Sequence, residues 1–428
     1  MMKNTTVAFT NITITDPGGQ NDNSQGTLLI ENGTVIRFDS SSPPENSICI
    51  DATEVHASPG IFDFQVQGGE PGFEERERFD TLNNAALAGG VTDLLLMPNV
   101  HPVSDHAGAV QFIQEKTKHL PVNFMPAGAL SKKLAGKELS EMAELYEAGV
   151  RVFTDDKSPI GNSVLLHLAM QYSTLSGGLI MLHPEDASLA LGGQVNESIT
   201  STQLGLKGSP ALAEELGVLR AIALAEYHDV AILLAGISSA RSLERIREAK
   251  SKGLKILCSA YAHHLYFTDA DLSGFDSNLK VWPPLRNDAD RKALLMAVSD
   301  GTIDVVCSDH RPETIEKKNV EFGYASFGME NIEASFSAAC TSALEAGIPL
   351  SRLIDALCVK PRQIVGLEVP HIEAVKEARL FLYNPKEHYT FTNDKILSLS
   401  KNSPYTGREL SGKIYGVSTA LGWQFEGY

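Results

Sequence analysis

With 428 residues, 43% hydrophobic and 21% charged, the chain is long enough for a large buried core and has the composition of a soluble globular protein rather than a disordered one. Its formal charge of −17 excludes the basic face that a nucleic-acid partner needs. Its longest apolar runs, such as Val230–Ala235, are strand-sized and fall short of the ~20 residues of a membrane span. The N-terminal run MMKNTTVAFTNITITD has no apolar stretch of signal-peptide type, so a cytoplasmic protein is expected, with neither nucleic acid nor membrane as partner.

Up to residue 57 apolar and polar positions alternate, broken by turn clusters at Asp16-Pro17-Gly18-Gly19 and Glu31-Asn32-Gly33, as in short antiparallel strands. The second cluster is expected to close a hairpin at Asn32-Gly33. From Ser58 the texture becomes buried strand, loop, amphipathic helix, repeated. Strands are expected at Gly60–Val66, Thr92–Met97, Val122–Ala127, Val150–Thr154, Gly178–His183, Val230–Ile237, Leu254–Ala260 and Ile303–Ser308. Helical periodicity fills the gaps, for example over Ala211–Ala225 and Ser239–Lys250. Such alternation implies parallel βαβ units, and eight of them close into a (β/α)8 barrel. After Ala374 strand-like texture returns at Arg379–Tyr383, Lys395–Leu399 and Lys413–Thr419. The fold class is therefore α/β: a TIM barrel over 58–373 beside a small β-domain built from 1–57 and 374–428. Five cysteines form no CxxC pair, and Cys49, Cys258 and Cys307 lie in apolar, strand-like stretches, which reads as reduced core thiols.

In this fold, function sits at the C-terminal ends of the barrel strands. The first such end reads Asp63-Phe64-Gln65-Val66-Gln67-Gly68-Gly69-Glu70-Pro71-Gly72. Further landmarks follow at Met97-Pro98-Asn99, Thr154-Asp155-Asp156, His183-Pro184-Glu185, Gly236-Ile237-Ser238, His263-His264, Pro283-Pro284-Leu285-Arg286, Ser308-Asp309-His310, Phe327-Gly328-Met329 and Asn402-Ser403-Pro404-Tyr405-Thr406-Gly407. In order and approximate spacing these resemble the dihydroorotases of the amidohydrolase superfamily, whose first strand ends in His-x-His followed by x-Arg-Glu-Pro-Gly.

The resemblance implies a binuclear zinc site whose bridging hydroxide attacks a cyclic amide. Such a site must bring the pKa of bound water from ~15.7 to about 7, roughly 12 kcal/mol of electrostatic help. Carried over residue by residue, the two strand-one histidines fall on Gln65 and Gln67, and the strand-six histidine falls on Gly236. A glutamine carbonyl is a weak zinc ligand and glycine offers none. His183, Asp309 and a carboxylate at Asp155 or Asp156 remain, Asp309 also matching the family's proton shuttle. Of the residues that grip substrate carboxylate, the arginine has become Gly69, while Asn99 survives; a second family asparagine has become Trp282, an indole expected to fill the site.

Each survivor also has a plainer reading. His183 reads as a hydrogen-bonded strand-end histidine near Glu185, Asp309 as paired with His183 or Arg311, and Asn99 as tying down its own loop. His263 and His264 read as structural, and Glu74–Arg78 as a solvated helix start. The expectation is a dihydroorotase-like chain of pyrimidine biosynthesis that lacks hydrolase activity, needs no cofactor and serves a structural or regulatory role. The resemblance implies a homodimer and aspartate carbamoyltransferase as partners. Two alternatives stand beside it: an active zinc-dependent cyclic amidohydrolase with a rebuilt site, and a ligand-binding sensor using the remnant pocket.

Overall fold

The computed structural model describes residues 6–419 and 421–425. Residues 1–5, 420 and 426–428, which belong to the two segments expected to form the β-domain, lie outside the described residues. Eight parallel strands form the barrel: β1 (Ile61–Val66), β2 (Val91–Leu96), β3 (Asn123–Pro126), β4 (Val152–Phe153), β5 (Leu179–Leu182), β6 (Ile232–Leu234), β7 (Ile256–Tyr261) and β8 (Val305–Cys307). Neighbours pair in chain order. Single parallel bridges, Gly128 to Phe153 and His310 to Val66, join the two sheet segments into a closed ring. All six residues of β1 and of β2 are buried, as a sheet covered on both faces requires. Phe62, Phe64, Leu95, Met97, Val152, Leu233, Tyr261 and Val305 fill the barrel interior, so it is a packed core and not a pore.

The two ends of the chain meet in one eight-stranded sheet, where His56–Pro59 lies between the N-terminal strand Thr6–Ile14 and the C-terminal strand Leu380–Thr390. The hairpin at Asn32-Gly33 forms as expected. Glu31 pairs with Thr34, and both turn residues have positive φ, 49° and 76°, which Asn and Gly tolerate best. Two expectations fail on the β side. Lys395–Leu399 is not a strand, because the backbone N–H groups of Leu397 and Ser398 donate to Glu333 and that of Leu399 to Glu77 instead of to a neighbouring strand. Cys49 is exposed, since its strand Ile48–Asp51 pairs on one side only and shows its side chains to solvent. Cys258, Cys307, Cys340 and Cys358 are buried thiols.

Asp93 on β2 ties the barrel to the sheet. Its carboxylate takes Arg362 on one oxygen and Arg379, the residue before the strand Leu380–Thr390, on the other at 2.9 Å. Burial alone would raise the pKa of Asp93, but the two guanidinium groups outweigh it and hold the carboxyl below its usual range. Arg362 is fully buried and also donates to the carbonyls of Gly60 (2.7 Å) and Cys358 (2.6 Å). No helix among the described residues is long and apolar enough to cross a membrane. Replacing Arg362 with Leu leaves two carbonyls and part of a buried carboxylate without donors, so Arg362→Leu should lower unfolding stability by about 3–5 kcal/mol, read from the urea midpoint.

Candidate active site

At the C-terminal end of β4 the chain turns through Asp156, whose φ of 51° swings its carboxylate across the barrel mouth. Four donors converge on it. Gln65 Nε2 donates to Oδ1 at 3.0 Å; Gln67 Nε2 (3.0 Å), Asn99 Nδ2 (2.9 Å) and Arg311 Nη2 (2.6 Å) donate to Oδ2. Both strand-one glutamines thus turn their amide N–H groups inward. Burial works to raise the pKa of Asp156, but Arg311 and Lys157 overcome it and the carboxyl sits below its ordinary value. Asp155, one of the two carboxylates left open by sequence, is not part of this centre. It faces away and accepts from Ser131, at 2.8 Å from the backbone N–H and by a short bond from Oγ.

Asp309 follows β8, also at positive φ (56°), and pairs with the buried ammonium of Lys157. The expected partners, His183 and Arg311, are replaced by this lysine, because Arg311 is spent on Asp156. Lys157 Nζ also donates to the Trp282 carbonyl and lies 4.9 Å from the centre of the Tyr261 ring. Burial pushes the Asp309 pKa up to about 6 against the pull of Lys157 and Arg311, and burial lowers that of Lys157. Two carboxylates and two side-chain cations balance in charge at the barrel mouth.

Volume has been rearranged with charge. A Cβ built on Gly236 would stand 2.5 Å from the Tyr261 hydroxyl, so Tyr261 occupies the room a side chain on that strand end would use. Gly236 donates its own N–H to Ser259 Oγ at 3.1 Å. At Gly69 a Cβ would meet the Glu77 carbonyl at 2.4 Å, and its φ of 68° is strained for any side chain. Glu74–Arg78 leads into the helix Phe79–Ala88 with Arg78 as its N-cap and with Glu74, Glu75 and Arg78 exposed, the solvated helix start expected, except at its two inward residues. Glu77 is fully buried and takes Ser398 and Thr81, while Arg76 reaches Glu313 at 3.2 Å.

His183 is buried, and neither ring nitrogen has a hydrogen-bond partner, contrary to the hydrogen-bonded reading. Burial pushes its pKa down to about 4. Glu185 faces Trp282 instead, and burial raises its pKa to about 7. The half-buried indole of Trp282 packs edge-on against Phe327, with ring centres 5.3 Å apart. His263 and His264 are buried beside Tyr261, His264 stacked on its ring and hydrogen-bonded to the Pro283 carbonyl at 3.0 Å, which is a packing role. Asn99 lines a small solvent-open cleft of about 10 Å³, room for one water, with Gln67, Gly68, Gly69, Phe73, Arg76 and Pro312.

Sequence reasoning missed Lys157, Tyr261 and the Arg311–Asp156 pair. The signal available was compensation: three missing ligands leave charge and space that nearby residues of the right sign and size can take up. The zinc pair implied by the resemblance does not fit this donor set. Gln65 and Gln67 present N–H, Asp156 is saturated, Asp309 holds an ammonium, and among the described residues no three His, Cys, Asp or Glu side chains are arranged to hold a metal ion.

A closed parallel barrel, a sheet made from both chain ends and polar strand termini define the amidohydrolase architecture. Solved structures agree: L-hydantoinase from Arthrobacter aurescens superposes with a TM-score of 0.85 at 21% identity, covering 98% of this chain and 96% of that one. Dihydropyrimidinase from Brevibacillus agri NCHU1002 gives 0.83 at 21% identity, with 98% and 96% covered. The family model described as Dihydro-orotase-like matches residues 57–242. Dihydroorotase from Acetivibrio thermocellus is 36% identical over 397 residues, 92% of this chain and 93% of that one. Dihydroorotase from Ruminiclostridium cellulolyticum is 38% identical over 388 residues, 90% and 91% of the two chains. The chain belongs to the dihydroorotase-like family.

Three variants probe the centre. Lys157→Met strands Asp309 as a buried, unpaired carboxylate and should cost about 3–5 kcal/mol, much of it recovered in Lys157→Met/Asp309→Leu by chemical denaturation. His183 stays neutral when folded but takes a proton below about 6.5 once unfolded. Folding stability therefore drops as pH falls from 6.5 to about 4, by about 3 kcal/mol for this ring at 1.36 kcal/mol per unit. Asp309 acts in the opposite sense, its stability contribution falling as pH rises from 3.8 to about 6. Comparing His183→Leu with its parent isolates the histidine: the variant should show a shallower loss of stability across pH 6.5–4.

Proposed function

We propose that this chain is a non-catalytic dihydroorotase-like protein, kept in pyrimidine biosynthesis for assembly or regulation, requiring no zinc and partnered by aspartate carbamoyltransferase. The observation that carries the reading is the pairing of Lys157 with Asp309 while Asp156 accepts four donors. Lys157 and Arg311 neutralise the two carboxylates that the resemblance would give to a metal pair. An ammonium neutralises a carboxylate but cannot lower the pKa of a bound water to neutrality as a dication does. Asp309 itself, tied to Lys157, is not free to shuttle a proton.

The purified chain is expected to show no interconversion of dihydroorotate and carbamoyl aspartate with or without added zinc, and an unchanged melting temperature with chelator. Stoichiometric zinc together with turnover would sink the reading. Rebuilding supplies the converse test. Gln65→His/Gln67→His/Gly236→His should bind no zinc until Lys157→Ala and Tyr261→Ala are added, measured by metal analysis after dialysis. Repeated failure to co-purify aspartate carbamoyltransferase from native extract would remove the partner.

A second reading, a ligand sensor, draws support from two unpartnered polar atoms at the cleft beside Asn99, which would have to widen to admit a ligand. Asn99 Oδ1 and Arg76 Nε are buried there without hydrogen-bond partners. If pyrimidine intermediates are sensed there, they raise the melting temperature, and Arg76→Ala abolishes the rise.

A further inference from the structure

We propose that Glu330 stays protonated and donates that proton in a hydrogen bond to Glu333, closing a buried clasp that holds the strap 396–403 and the loop 70–78 together, and that losing the proton frees both. None of its members takes part in the Asp156 or Asp309 pairs, so the clasp is independent of catalysis.

Glu330 and Glu333 stand at the start of the helix Ile332–Glu345. Both are buried, Glu330 completely, and among the described residues neither pairs with a Lys or Arg. Neither oxygen of Glu330 accepts a hydrogen bond, and Oε2 of Glu333 is unfilled too. The basic side chain beside Glu330 is His310, whose Nδ1 is 3.9 Å away. That nitrogen accepts the Asn331 backbone N–H at 3.4 Å, so it has no proton to give. The other ring nitrogen faces Glu77, 3.5 Å from Oε2. An ionised Glu330 would have nothing in place of its lost water. Among the described residues no three His, Cys, Asp or Glu side chains are arranged to hold a metal ion, so a proton is the cation that fits.

Protonated, Glu330 reaches Glu333 as a donor, and burial together with that neighbour holds its carboxyl well above the ordinary range. Glu333 is the natural acceptor. It lies in the first turn of the helix, which suits negative charge, and its Oε1 already takes the Leu397 and Ser398 N–H groups at 2.8 and 2.9 Å. Glu77 extends the grip by accepting the Leu399 N–H at 3.2 Å and the Ser398 hydroxyl, and the Ser400 hydroxyl donates to the Arg76 carbonyl at 2.8 Å. The strap thus ties the helix start to the loop whose Phe73 and Arg76 line the cleft beside Asn99.

Once Glu330 ionises, it faces the carboxylates of Glu333 and Glu77 with only His310 beside them. Tyr405 also faces Glu330, and burial keeps its phenol protonated. Repulsion then loosens the strap, and the cleft widens. A carboxyl whose pKa is raised on closing holds a proton that it sheds on opening above its ordinary 4.5. Closure is therefore firmest in acid and weakens as pH climbs, by up to about tenfold per unit.

Hydrogen exchange of the peptide 396–403 in the full chain, corrected for the intrinsic pH dependence of exchange, reads the opening. Between pH 6 and 8 the opening equilibrium should rise about fivefold to tenfold per unit. Glu330→Gln gives Glu333 a permanent N–H donor and should flatten that rise. Glu333→Gln should flatten it as well, since it offers Glu330 a donor while keeping an acceptor oxygen for Leu397 and Ser398. Infrared spectra at pH 7 supply a readout that packing alone would not move: a protonated carboxyl band present in the parent and lost in Glu330→Gln. A parent whose strap opens equally at pH 6 and 8 overturns the inference. So does a Glu330→Gln chain that keeps the parent's pH dependence, or one whose carboxyl band equals that of the parent.

Discussion

Four donors on one buried carboxylate set the arrangement of the whole barrel mouth. Asp156 sits at the end of β4 in a left-handed turn, and Gln65, Gln67, Asn99 and Arg311 all spend a hydrogen bond on it. Taking a carboxylate out of water is tolerable only when its lone pairs are filled and a cation is near. Arg311 supplies the charge and the amides fill the remaining positions. Because Arg311 is committed there, Asp309 needs another cation, and the adjacent Lys157 provides it.

Charge and volume change together around this centre. Wherever the resemblance implies a metal ligand that the chain lacks, a neighbour has taken up either the charge or the space. Lys157 stands in for positive charge, and the Tyr261 ring fills the room above Gly236, where even a methyl group would clash. The collapse of the loop onto Gly69, with Glu77 drawn into the core, removes the place for a side chain there as well. Restoring histidines alone would therefore set new imidazoles against a tyrosine and an ammonium already in place.

The unpartnered nitrogens of His183 are the exception to this compensation. A buried imidazole without partners stays neutral at some loss of stability. It is held in place by its strand and not by hydrogen bonds.

The sequence by itself determined the barrel, the pairing of both ends in one sheet, the hairpin at Asn32-Gly33 and the loss of imidazole at residues 65, 67 and 236, because strand periodicity, turn chemistry and ligand identity are local properties of the chain. Only the tertiary structure decided that Asp156 and not Asp155 enters the centre, since a single left-handed turn points consecutive carboxylates in opposite directions. It also decided that Lys157 meets Asp309, 152 positions away, and that Tyr261 lies over Gly236. Residues 395–399 look like a strand in sequence, yet their N–H groups are claimed by Glu77 and Glu333 from distant helix starts. Charge balance and volume filling are settled between strand ends far apart in sequence, so no local pattern could specify them.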